Sequence, residues 1–224
     1  MSPRESRAAL QLLTGAAVGT SLDLLRRLNG SPEARRAALL DGVPEVVAYY
    51  SVGSAALAAD FYEEEREVAG VRSRFLPEMV VADRTVKLRR AIAWASDPLF
   101  SDDEVSASGR LAEVVQLDTA RPFRDTITGN TVRDPDAVGW RRETSGVGCG
   151  FCRLLAAKGA IYRASTARFA AHDHCGCTAA PVFGVGEVGP EASALQYVAS
   201  KRRRSEAEKQ ALREHIAAHY GGDT

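Results

Sequence analysis

The sequence predicts a mainly α protein: a helical N-terminal domain, a small α+β module stapled by cysteine and histidine, and a C-terminal helix. Three observations lead there. Apolar residues recur at three- and four-residue steps through the first 127 positions, the spacing that lines one face of a helix. From about residue 128 the texture changes to Gly-Asn, Asp-Pro and repeated glycine, the punctuation of turns around short strands. All four cysteines, Cys149, Cys152, Cys175 and Cys177, then fall in one short window together with His172 and His174.

The elements follow in order. The stretch from Ser6 to Gly30 places Leu10, Leu13, Val18, Leu22, Leu25 and Leu28 in helical spacing, with Gly30 as a stop. Ser31 then caps a second helix, with Pro32 at its first position and Glu33 in its first turn. That pattern continues through Val47, Tyr50, Leu57 and Phe61, and Gly70 closes it. Pro77 and its β-branched neighbours read as an extended connection. Residues 84–96 form a short helix that Asp97-Pro98 ends. A further helix opens near Ser101, with acidic residues in its first turn. After the change of texture, Arg153–Lys158 reads as helix, and "AIYRA" and "TAAPVF" as strands. "GVGEVGPE" is a linker to a final amphipathic helix. The boundaries are 1–127 for the helical domain, 128–186 for the Cys/His module, and 187–224 for the linker and last helix.

Composition excludes more than it selects. Lysine plus arginine equals aspartate plus glutamate, at 29 each, so no global charge points to nucleic acid or to a basic partner. The basic run Lys201–Arg204 is followed at once by Glu206 and Glu208, which suits a solvated helix face better than a DNA contact. No apolar run is read as approaching the roughly 18 residues a membrane span needs. The N-terminal stretch, interrupted by Gln11 and Thr14, reads as an amphipathic helix and not as a signal peptide. Cytosolic synthesis follows, and no membrane contact is expected.

In a reducing compartment, clustered cysteines serve as metal ligands or redox groups more often than as disulfides. Here C-x2-C is followed, after a loop, by C-x-C, with His172 three residues before Cys175. Two short-range pairs separated by a loop are the usual arrangement of a structural zinc site. One knuckle aims two thiolates at the ion, a second pair closes the tetrahedron, and the metal supplies order that a small module lacks. The candidate ligands are Cys149, Cys152, His172, Cys175 and Cys177. Whether His172 or Cys175 takes the fourth position is open, and His174 is an outer or exposed group. A disulfide network, a redox C-G-F-C and simple buried thiols are the other readings. The redox reading lacks the βαβ context it needs. Catalytic metal is disfavoured, because H-E-x-x-H is absent and the zinc deaminase order of motifs is reversed. No catalytic residue is assigned.

The segment from Val138 to Phe183 also resembles a known family. Trp140, Arg142, Cys149, Phe151, Cys152, Leu155, Gly159, Tyr162, His172, Cys175, Cys177, Pro181 and Val182 match the conserved segment of the Mu F-like minor head proteins of tailed bacteriophages, nearest the branch found in phages of actinobacteria. The resemblance implies a virion protein, made in the host cytoplasm and held inside the head near the portal, that serves assembly and DNA packaging or delivery. Implied partners are the portal protein, the major capsid protein and packaged DNA. It favours His172 over His174 as a ligand. One departure is Gly176, where relatives commonly carry arginine between the two cysteines. The expectation is therefore a structural minor capsid protein and not an enzyme. The alternatives are a capsid maturation protease or a metal-dependent nuclease, and a general zinc-binding interaction module.

Overall fold

The computed structural model describes residues 1–144, 150–157, 169, 176–184 and 205–220. Helix α1 spans Pro3–Arg27. The Ser2 hydroxyl accepts from the Glu5 N–H at 3.3 Å, and the Ser2 N–H donates back to the Glu5 carboxylate at 2.7 Å. This reciprocal box satisfies two donors that a helix start leaves open.

Helix α2 spans Pro32–Val68, with Ser31 as cap and Pro32 at its first position. At its far end Gly70 takes φ +71°. The Val71 N–H then reaches back to the Arg66 carbonyl and the Gly70 N–H to that of Glu67, the double closure that a left-handed glycine permits. Pro44 lies inside α2 without breaking it. A proline has no N–H to offer the carbonyl four residues earlier, here Leu40. Arg89 fills that role from helix α3, Thr85–Ala95: its Nη1 donates to the Leu40 carbonyl at 2.7 Å and to the Asp41 carboxylate at 3.3 Å.

Residues 71–84 form the expected extended connection, a strap laid along helix α4, Glu104–Arg133. Asn130, fully buried, pins it by accepting from the Glu78 N–H at 2.9 Å and donating to the Glu78 carbonyl at 2.8 Å. The side-chain amide thus imitates a neighbouring strand. The Thr126 hydroxyl accepts from the Val80 N–H at 2.9 Å. A Cβ on Gly129 would stand 3.3 Å from the Val80 side chain, so glycine lets the strap lie close. Here the structure overturns the reading of Gly129-Asn130 as a turn. Both residues are helical, and their turn-like chemistry serves the strap instead.

Between α3 and α4 runs a short 3-10 turn, Asp97–Ser101. Asp102 then steps through the left-handed region at φ +53°, and Asp103, not Ser101, caps α4 by accepting from the Ser106 N–H at 2.9 Å. Strands β1, Ala137–Glu143, and β2, Thr178–Phe183, pair antiparallel, with Trp140 opposite Pro181 and Arg142 opposite Ala179. Helices α5, Gly150–Ala157, and α6, Glu206–Tyr220, complete the described elements.

Among the described residues the core has two large parts. One is built by α1, α2, α3 and α4 around Leu39, Val43, Ile92, Leu111 and Val115. The other joins Leu10, Phe61, Tyr62, Phe123 and Ile127 of the helices to Trp140 and Ala180 of the sheet. Full burial of each such large side chain contributes about 1.5–3 kcal/mol before entropy is counted. α1 corrects one expectation. By length and composition it could cross a membrane, with a window of mean hydropathy 1.3, because its charges gather at its ends. In the fold it buries Leu10, Thr14, Ala17, Ser21 and Leu25, a stripe that packs on α2 and α4.

Candidate metal centre

The site starts from the two-stranded sheet. All six residues of β2 are buried, with β1 on one side and α4 packed against them. Pro181 cannot donate to a ladder, and the sheet, two-stranded among the described residues, tolerates it at an edge position. Cys177 directly precedes β2. Cys152 sits in the first turn of α5. The two thiols, 3% and 1% exposed, pack in one buried cluster with Phe169. The fold therefore brings one cysteine of each predicted pair to the same place. Cys149, His172 and Cys175, with His174, lie outside the described residues. Among the described residues no group of three His, Cys, Asp or Glu side chains is gathered for a metal.

Two arginines surround the thiols. Arg142, projecting from β1, brings Nη1 to 3.9 Å from the Cys152 sulfur. Its guanidinium lies over the Phe169 ring at 3.9 Å from the centroid. Arg124, from α4, donates through Nε to the Cys177 carbonyl at 3.1 Å and stands 4.9 Å from the same ring. Trp140 tilts against Phe169 with centroids 5.5 Å apart. Both guanidiniums are buried, so they are oriented groups and not solvated charges. A thiolate here has positive charge beside it, and thiolate is the form that binds zinc. Gly176 is exposed, and a Cβ there would come within 3.3 Å of the end of the flexible Gln11 side chain.

Sequence reading identified Arg142 only through the family resemblance and missed Arg124 and Phe169 altogether. Arg124 lies in the middle of a helix, 53 positions before the carbonyl it meets, and no local pattern marks it.

The family model described as VG15 protein matches residues 3–203. The chain belongs to the VG15 family. VG15 is a family of viral and phage proteins, which makes this chain a phage protein, of the virion or of the infected host cell. No curated protein and no solved structure matches the chain. The VG15 match runs from α1 through the strap, the sheet and the second cysteine pair, and ends before α6. Helices α1 to α5 and the cysteine segment thus fall within one family match.

Proposed function

We propose that this VG15 protein is a structural minor capsid protein of a tailed phage, of the Mu F-like kind, acting inside the head near the portal in assembly and DNA packaging or delivery. One observation carries the reading: a phage family match over nearly the whole chain encloses the Trp140 to Val182 motif, and Trp140 and Pro181 of that motif are sheet partners. The two ends of the motif are thus paired in one sheet, a surface against which a partner could be set. Cys149, Cys152, Cys177 and either His172 or Cys175 would hold a structural zinc ion. The buried Cys152–Cys177 contact fits that donor set, and Arg142 would balance the negative charge of a site rich in thiolates. A closed four-ligand site leaves no open position for water, so its contribution is to folding.

The test is mass spectrometry of purified particles of the parent phage, joined to pull-down of the portal protein by this chain. A few copies per particle and capture of the portal are the expected results. Absence from particles sinks the proposal. So does specific cleavage of the major capsid protein by the purified chain, if it is lost on a single Ser, His or Cys substitution.

A further inference from the structure

Two prolines lie inside long helices among the described residues, and their consequences differ. Pro44 strips the Leu40 carbonyl of its helical donor, and Arg89 replaces it while also touching the neighbouring carboxylate of Asp41. Pro122 does the same to the Asp118 carbonyl in α4. Among the described residues, no side chain donates to that carbonyl.

Pro122 lines a cleft of about 240 Å³ between α2, α3, α4 and the end of the strap. Asp118, Pro122 and Asp125 stand on one stripe of α4, at helical spacing, and all three line the cleft. The Asp118 carboxylate is engaged, accepting from Arg84 Nε at 2.6 Å with Arg121 Nε at 3.9 Å. Asp125 is not: no hydrogen bond or ion pair reaches its carboxylate among the described residues. Three acidic side chains, Asp83, Asp118 and Asp125, face two basic ones, Arg84 and Arg121, so the lining itself has one more negative charge than positive, which Arg124 behind it offsets only in part. Val47, Val81 and Leu88 supply apolar walls that suit an alkyl stem.

We infer that this cleft is a socket for an arginine side chain from a partner protein, its stem on the apolar walls and its guanidinium on the Asp125 carboxylate and the Asp118 carbonyl. The precedent is internal: Arg89 already joins a proline-freed carbonyl and a carboxylate elsewhere in this chain. A guanidinium has the donors for both acceptors and the shape to reach them together. Burial holds the Asp125 carboxyl above its usual range even though the charges of Arg121, Arg84 and Arg124 pull it down, so none of the three pairs with it closely.

The experiment titrates the ¹⁵N-labelled full chain with Nα-acetyl-arginine-N-methylamide, and separately with its citrulline counterpart, a neutral compound of the same shape. The expected result is saturable shifts at Ala82, Asp83 and Thr85 with the arginine compound alone. Binding should weaken about tenfold or more in Asp125→Asn, the loss implied by removing one charge-assisted hydrogen bond. Equal responses to the two compounds, no saturable response, or undiminished binding in Asp125→Asn overturns the proposal. If Asp125→Asn fails to fold, the comparison of charged and neutral compounds on the natural chain decides it.

Discussion

The guanidinium of Arg66, near the end of α2, is paired with the carboxylate of Asp134, the first residue past α4, in a spot where both side chains are almost wholly buried. The Tyr62 hydroxyl donates to the same carboxylate at 3.1 Å. Arg66 also donates to the Ser73 carbonyl and hydroxyl, at 2.9 and 2.8 Å, and stands over Phe75 and Phe183. One residue therefore ties the end of α2, the start of the strap, the end of α4 and the tip of β2. Burial first, and the Asp134 charge second, hold the Tyr62 hydroxyl far above its ordinary range, so it stays a donor at any pH the fold tolerates.

Breaking that pair is the costliest single polar change expected here. Asp134→Asn leaves the buried Arg66 with only the partly exposed Asp136 carboxylate, 3.7 Å away, as counter-charge, which should cost about 3 kcal/mol, the low end for a broken buried pair. Urea midpoints at constant slope give the measure. A loss below about 1 kcal/mol is the range of exposed pairs and would show that water reaches the site.

The strap gives a second prediction. Asn130→Ala removes both bonds to Glu78 and leaves its N–H and carbonyl unmatched against α4. The expected cost is about 2 kcal/mol. The local signature is more telling: hydrogen exchange at Glu78 and Val80 should accelerate beyond the global loss, and limited proteolysis should enter residues 71–84 first. Uniform acceleration across α2 and α4 would contradict a strap held locally.

Asp125 makes stability depend on pH. Burial raises its folded-state range above the unfolded one, and the neighbouring Arg121, Arg84 and Arg124 only partly offset this. A raised carboxyl contributes stability that is complete below the unfolded value and is lost as pH rises through the folded value. Asp125→Asn should therefore raise the melting temperature at neutral pH by a degree or more, on the order expected for a few tenths of a kcal/mol. The gain should vanish at acid pH, where the native side chain is already neutral. An equal gain at both pH values would mean that shape, not charge, is responsible.

What the sequence made legible is what neighbours within a few residues decide. The Ser31-Pro32 start of α2, its Gly70 stop, the extended strap and the "TAAPVF" strand rest on such local rules, and each is present. The cap of α4 moved from Ser101 to Asp103 because a 3-10 turn and one left-handed residue intervene, a detail that residue type does not encode. Asn130 misled for a related reason. Its amide suits a turn, but here it completes the backbone of a segment 52 positions away. In the candidate site the convergence of Cys152 and Cys177 was readable from spacing, whereas Arg124 and Phe169 enter only through tertiary packing. The cleft beside Asp125 left no sequence signal, because its walls come from four separate elements.

The zinc expectation makes the last prediction. Purified chain should carry about one zinc ion, the stoichiometry of a single four-ligand site. Cys152→Ser and Cys177→Ser should each abolish tight binding, because each removes a donor from inside the buried cluster. His172→Ala and Cys175→Ala then divide the remaining question: whichever retains full zinc is not the fourth ligand. Chelation should loosen the module around β1 and β2, seen as exposure of Trp140, which is 1% exposed in the fold. The upper helical core around Leu111 and Val115 should keep its exchange protection, since none of its side chains comes from the cysteine segment. Metal-free protein with unchanged Trp140 fluorescence and melting temperature would return the four cysteines to the status of small buried residues.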